Sequence, residues 1–242
     1  MDSSRTIDGR RRFLTYPNGP KVVWTKLQVP LGVELDTDHW AGYFQPLLHA
    51  EGHKSTVWAK VQGSTDLVIL ATLWHTTSEL RDFMASPSAQ LYTESLASIG
   101  IIPLVSYETI PKGTIWFRAL PRSFTQLFWV YFPAPMTQAQ QAQITSLKGM
   151  LPPALGFSMP RNLSVQTHIP AQSWATQIED LHGQKAQLVL WLHLWRDARK
   201  AEWRHLSKGN ETSMEEFIED LEKVGAIEWK EDFYEFKTLL RL

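Results

Sequence analysis

Leu67-Val68-Ile69-Leu70-Ala71-Thr72-Leu73-Trp74 and Leu188-Val189-Leu190-Trp191-Leu192-His193-Leu194-Trp195 decide the fold of this chain, because they read as one strand written twice. Leu, Val, Leu and Trp recur at matching places. Both runs are short and almost wholly apolar, the pattern of strands buried on both faces. Self-similarity at long range is the mark of a repeated structural unit.

The segments that follow each run match as well. After the first, Thr76 and Glu79 make a capping box, and Leu80, Phe83 and Met84 fall at helical spacing. Ser86 and Pro87 restart the helix as N-cap and first residue, and Leu91, Leu96 and Ile99 carry it to Gly100, a C′ glycine. After the second, Asp197 caps a helix carrying Trp203 and Leu206, broken at Gly209-Asn210. Ser213 and Glu216 then form another capping box ahead of Phe217, Leu221 and Val224, ending at Gly225.

Upstream, Val22–Leu27 resembles Leu127–Phe132, and each precedes a helix start. Thr37 leads into Trp40, Phe44 and Leu47, and Thr137 into Ile144 and Leu147. Strands at Thr56–Gln62 and Gln172–Glu179 share a Trp-Ala pair, and closing strands fit Ile102–Ile110 and Ile227–Phe236. Each copy therefore reads strand, helix, strand, strand, helix, strand, the ferredoxin-like order. The expected architecture is α+β, with modules at 1–115 and 121–242 joined through the Pro/Gly-rich stretch 111–121. One face of each four-stranded sheet needs a cover. The other module's sheet supplies it at high effective concentration, giving a single-chain pseudo-dimeric barrel. Two independent modules without a shared cavity are the alternative.

Composition narrows the function. The 242 residues carry 24 basic and 25 acidic side chains, net charge −1, which gives no electrostatic reason for a nucleic-acid or membrane partner. Arg10-Arg11-Arg12 reads as a solvated arm. With no cysteine there is no disulfide, thiolate metal site or thiol catalysis. The first 30 residues lack an apolar signal core, and no run approaches the roughly 18 apolar residues of a membrane span. A cytoplasmic protein is the expectation. No phosphate loop or dinucleotide fingerprint is present, so no nucleotide cofactor is expected.

The run Leu73-Trp74-His75-Thr76-Thr77-Ser78-Glu79-Leu80-Arg81-Asp82-Phe83-Met84-Ala85-Ser86-Pro87 resembles the strand–Trp–Ser/Glu–helix–Phe-x-x-Ser-Pro pattern of the dimeric α+β barrel superfamily, in its monooxygenase-like and stress-responsive members. The module pattern covers nearly the whole chain, and this motif only the first copy. The resemblance implies two ferredoxin-like modules packed sheet to sheet around a small-molecule cavity. It also implies a choice among cofactor-free monooxygenases, polyketide cyclases, isomerases, decarboxylases and haem enzymes. The Tyr/His dyad of the plant polyketide cyclases is absent, since Phe83 and Ala89 stand at those positions.

Strand alternation sorts the cavity candidates. Trp24 shares a face with Lys26, Trp129 with Tyr131, Trp58 with Lys60, Trp174 with Thr176, and Trp191 with His193. Turned inward, these faces give an aromatic lumen suited to an apolar oxygenated substrate. His193 is the candidate general acid/base, Tyr131 an oxyanion donor, and Lys26 a carbonyl partner or Schiff-base former. Trp24, Trp58, Trp129, Trp174 and Trp191 are the candidate substrate wall. Each has a bland alternative: a structural buried histidine, an ordinary strand tyrosine, a snorkelling lysine, and core tryptophans.

The expected function is a cofactor-independent cyclase or isomerase of secondary metabolism acting on a polyketide- or terpenoid-like small molecule. The chain is expected to be monomeric, with a homodimer as the alternative. Two rivals stand beside this reading. One is a haem enzyme with His168, His193 or His205 as axial ligand, and the other a non-catalytic binding or stress-responsive barrel whose lumen its own tryptophans fill. Weaker signals are His49-Glu51-His53 as metal ligands, Gly156–Pro160 as a partial nucleophile elbow, His75 at a strand end, and the irregular stretch Leu151–Ala171 as a lid carrying Arg161 and His168.

Overall fold

The computed structural model describes residues 18–151, 165–205 and 213–242. The Arg10–Arg12 cluster, Gly156–Pro160, Arg161, Leu206 and Gly209-Asn210 lie outside them. Module one runs β1 (Lys21–Gln28), α1 (Asp38–Gly42), α2 (Gln45–Leu48), β2 (His53–Lys60), β3 (Leu67–Trp74), α3 (Thr77–Met84), α4 (Pro87–Ser98) and β4 (Ile102–Pro111). A 3₁₀ turn, Ile115–Arg122, leads to module two: β5 (Phe124–Pro133), α5 (Gln138–Ser146), β6 (Gln166–Leu181), β7 (Gln184–Trp195), α6 (Ala198–Ala201), α7 (Met214–Lys223), β8 (Glu228–Glu235) and the two-residue β9 (Lys237–Thr238).

The caps form where the sequence places them. Thr76 Oγ1 accepts the Glu79 N–H at 3.2 Å, and its hydroxyl donates to the Glu79 carboxylate at 2.6 Å. Ser213 and Glu216 close a full capping box, with contacts of 3.2 and 2.9 Å. Such caps satisfy amide groups that the helix itself leaves unpaired. The helix after Asp197 is shorter than its apolar spacing suggests: one α turn, followed by a 3₁₀ turn at Glu202–His205. The irregular stretch before residue 171 is shorter too, because β6 begins at Gln166.

The strand order is β8-β5-β7-β6-β4-β1-β3-β2-β9, with every neighbouring pair antiparallel. It contains the ferredoxin-like order twice, as β4-β1-β3-β2 and β8-β5-β7-β6. The modules join edge to edge through β4 and β6, where Thr109, Ile110 and Pro111 face Ala175, Trp174 and Ser173. At the other seam, β9 pairs with β2 through Thr238–Val57 and Lys237–Trp58. Only Phe236 separates β8 from β9, so one continuous run reaches both ends of the order. A nearly closed antiparallel barrel results, and closure removes the exposed edges of an open sheet.

Three apolar cores follow from this closure. One fills the barrel, with Trp24, Val57, Ile69, Leu127, Trp129, Tyr131, Leu188, Leu190, Leu192 and Phe236 among its members. The second lies between the first module's strands and its helices, where Trp40 meets Phe44 at 4.7 Å and Trp58 at 5.4 Å. The third lies under α7, with Phe128, Trp191, Trp195 and Phe217. Large aromatic side chains each bury roughly 150–250 Å², so these rings carry much of the burial in every layer. Among the described residues, no helix is long and apolar enough to cross a membrane.

Candidate functional site

The antiparallel pairings make β1, β5 and β6 mutually parallel, so the barrel has two unlike ends. At the end holding the N-termini of β1 and β5, the turn Ile115–Arg122 folds into the lumen and buries Trp116, Phe117 and Leu120. Trp116 stacks on Trp24 with ring planes 5° apart and centroids at 6.4 Å. Its Nε1–H donates to the Gly113 carbonyl at 2.8 Å, which holds the ring in place. The stretch joining the modules is therefore a plug. It was expected only as a joint.

At the opposite end the seams lose backbone pairing: the β4–β6 ladder stops at Thr109–Ala175 and the β2–β9 ladder spans two residue pairs. Side chains bridge the first gap, with the Glu108 N–H donating to Gln177 Oε1 at 3.2 Å and the Thr176 hydroxyl to the Glu108 carbonyl at 3.2 Å. Ile102, Leu104, Val105, Ile178 and Ile227 are exposed at this end.

Towards this end of the barrel stand Trp129, Tyr131, Tyr107 and Glu179. The Tyr107 hydroxyl donates to Glu179 Oε2 at 3.3 Å. The Tyr107 ring lies 5.8 Å from that of Trp129, over which Lys230 Nζ sits at 5.1 Å. Burial raises the Glu179 carboxyl above its ordinary range, against the lowering effect of the Tyr107 hydroxyl. Burial, and then the neighbouring Tyr107, Glu179 and Glu228, raise Tyr131 well above an ordinary phenol. The Trp24 Nε1–H, deeper in the barrel, is buried without an acceptor.

Of the residues read as lumen-facing, Trp24, Trp129 and Tyr131 belong to the barrel core. Lys26 shares the face of Trp24, pairs with the interior residue Ile69, and is partly buried. Trp58, Trp174, Trp191 and His193 require correction, for they point away from the lumen into the helix layers. On β7 the leucines turn inward, and the Val189-Trp191-His193-Trp195 face packs under α7. Lys60 ends β2 in solvent.

His193 is wholly buried, with Phe128, Phe217 and Trp195 rings at 5.6, 5.4 and 6.5 Å. Its Nε2 accepts the Met150 N–H at 2.9 Å, which puts the proton of the neutral ring on Nδ1. Burial pushes its pKa down to about 3. A Cβ on the neighbouring Gly149 would lie 2.7 Å from that Nε2, so the backbone passes there only as glycine. A half-open cleft of about 200 Å³ lies beside it, lined by Ser146, Leu147, Lys148, Gly149, Phe217 and Asp220.

The haem ligands proposed from sequence do not converge on the lumen. His168 Nδ1 bonds the Ile169 carbonyl at 2.7 Å, and His205 pairs with Glu215 at 3.0 Å on the surface. Among the described residues, no group of three His, Asp or Glu is placed to hold a metal ion. His53 bonds Thr56 at 2.8 Å and Arg241 at 3.4 Å, and His75 pairs with Glu79 at 3.5 Å.

Sequence reasoning missed Tyr107 and Glu179. The alternation of β4 puts Tyr107 opposite Trp24, a usable signal, whereas the irregular register of β6 between Trp174 and Ile178 hid the face of Glu179.

No family model matches the chain, and no curated protein matches it in sequence. Solved structures do match in shape. An anthrone oxidase-like protein shares 13% identity at a TM-score of 0.50, over 92% of this chain and 95% of its own. A "putative monooxygenase" from Lactobacillus acidophilus shares 10% at 0.52, over 92% and 97%. Another of the same description from Fusobacterium nucleatum shares 9% at 0.50, over 91% and 94%. At such identities the likeness is one of fold: the chain is a single-chain α+β barrel of two ferredoxin-like modules.

Proposed function

We propose that the chain is an enzyme that takes a flat, apolar, oxygenated small molecule into the end of the barrel opposite the plug and acts on it by acid–base chemistry, without a nucleotide cofactor. The observation that carries this reading is the asymmetry of the barrel. One end is plugged by Trp116, Phe117 and Leu120, while towards the other, where the seams lose backbone pairing, lie Trp129, Tyr131, Tyr107 and Glu179. Aromatic walls with a few convergent polar groups are the usual make-up of a ligand site, and perturbed titratable groups in such a place are catalytic candidates. Tyr131 contacts the substrate oxygen, Lys26 offers a cation for a carbonyl, and Trp24 and Trp129 fix the ring plane. A cyclase- or isomerase-type reaction on a polyketide- or terpenoid-like intermediate fits these groups. The monooxygenase and oxidase descriptions of the structural neighbours support an enzyme and place oxidation among the reactions to be tried.

The test is a panel of hydroxylated naphthalenes and enolisable cyclic ketones, with tryptophan quenching reporting binding and mass spectrometry reporting conversion. Binding and turnover by the wild type are expected, with turnover falling by about 10²-fold in Tyr131→Phe, the usual worth of a positioned proton donor. Turnover unchanged in that variant would remove Tyr131 from the mechanism, and a panel without a binder would sink the lumenal site.

A second reading, a non-catalytic binding barrel, is favoured by the Trp24–Trp116 stack that fills the plugged half. Binding without conversion of any bound compound is its signature.

A further inference from the structure

The outer face of β7, turned away from the lumen, carries three buried polar side chains that stand together. Gln172 of β6 lies directly opposite Trp191 in the β6–β7 register, so the two share a face, and His193 follows on that same face. All three are buried. The Trp191 Nε1–H, the His193 Nδ1–H and the Gln172 Oε1 meet no hydrogen-bond partner among the described residues. Their other polar atoms are engaged. His193 Nε2 accepts the Met150 N–H at 2.9 Å, and Gln172 Nε2 donates to the Ile144 and Leu147 carbonyls at 3.2 and 3.0 Å. What remains is two donors and one acceptor in an aromatic layer, where unpaired polar groups are costly and call for an explanation.

The half-open cleft between residues 146–149 and α7 lies one residue's thickness away. Leu147, Gly149 and Phe217 line it, and each also touches the polar set. Leu147 gives its carbonyl to Gln172, a Cβ on Gly149 would lie 2.7 Å from His193 Nε2, and the Phe217 ring packs 5.4 Å from His193 and 5.8 Å from Trp191. At the mouth Lys148 is exposed, while Asp220 is already held by Lys223 at 3.4 Å. The mouth therefore offers a ligand a cation rather than an anion. A volume of about 200 Å³ is below the range of sites for drug-sized ligands, which limits the occupant to a single ring.

We propose that this cleft binds a single-ring aromatic carboxylate bearing a hydroxyl group, with the carboxylate at Lys148, the ring against Leu147 and Phe217, and the hydroxyl turned inward to Trp191, His193 and Gln172. A hydroxyl can donate to Gln172 Oε1 while accepting from either N–H, which matches the unengaged set. The Phe217 ring stands between the cleft and these groups, and it turns aside on binding. The site is on the far side of the sheet from the lumen and does not depend on the lumenal reading.

The experiment uses the full chain, with para-hydroxybenzoate as the probe and benzoate as its control. Indole N–H resonances report where the probe binds, and Trp191→Phe, Trp24→Phe and Trp116→Phe assign the signals. Para-hydroxybenzoate is expected to shift the Trp191 signal downfield, as a new hydrogen bond does, and to leave the barrel residues Trp24 and Trp116 in place. Benzoate, which lacks the hydroxyl, is expected to bind about tenfold more weakly and leave the Trp191 signal unmoved. Lys148→Glu, a change on an exposed side chain, is expected to weaken both compounds by about fivefold. A Trp191 signal unmoved by saturating para-hydroxybenzoate overturns the site, and so does equal affinity for the two compounds. A probe that moves only Trp24 or Trp116 sits in the barrel, which overturns the cleft while supporting the lumenal proposal.

Discussion

His193 shows how an apolar strand holds one polar side chain in its core. Its Nε2 takes the Met150 N–H, and three aromatic rings close around it. Replacing it with alanine strands that amide and opens a cavity, for an expected loss of about 2–5 kcal/mol in chemical denaturation. The burial that lowers its pKa to about 3 and that of His53 to about 4 also sets a pH dependence. Both rings bind protons more readily when the chain is unfolded, near pH 6.5. Stability is therefore full above that value and falls as pH drops toward the folded pKa values. Each histidine is expected to cost about 2 kcal/mol between pH 7 and pH 5. Urea midpoints measured across this range check it, and His193→Gln, which keeps an acceptor but does not titrate, should flatten the curve. An equally steep curve in that variant would assign the acid loss to other groups.

At the scale of elements, the plug and the clasp matter most. The turn Ile115–Arg122 fills one barrel end with Trp116, Phe117 and Leu120, each buried. Trp116→Ala is expected to destabilise by about 3–5 kcal/mol and to change Trp24 fluorescence, since the two rings stack. A variant as stable as the wild type would mean that the turn rests on the barrel without supporting it. The C-terminal run fastens the second seam. Lys237 pairs with Asp36, Leu239 N–H donates to the Thr56 carbonyl at 2.9 Å, and Leu242 N–H to Gln45 Oε1 at 3.1 Å. Deleting residues 237–242 removes these bonds and leaves β2 an open edge. Faster amide exchange across His53–Lys60 is the expected result, with β7, which lies between β5 and β6, left protected.

For the whole molecule, closure within one chain replaces the dimerisation that a single ferredoxin-like module would need to cover its sheet. The two seams, β4–β6 and β2–β9, do the work of a subunit interface. A native mass spectrum is expected to show a monomer that takes up no stoichiometric haem when haemin is offered. A homodimer would point to a further interface, and a haem adduct would replace the acid–base reading.

Repeat, helix caps, strand spacing and module order were legible in the sequence by itself, because each is a local pattern: period two or period 3.6, an N-cap with Glu three residues on, a glycine after the last turn. That Trp24, Trp129 and Tyr131 lie on the faces turned to the barrel core agrees with the alternation read from the sequence. What only the tertiary structure decided is which face of β7 and β2 looks inward. Both faces of β7 are apolar, so alternation cannot orient it. The choice fell to packing partners: Phe217 of α7 meets the rings of Trp191 and His193, and Trp40 meets Trp58, leaving the leucines and small residues to fill the barrel. The plug and the Tyr107–Glu179 contact were beyond the sequence for a related reason. Each is assembled from segments far apart in the chain, brought within reach only when the seams between the modules close.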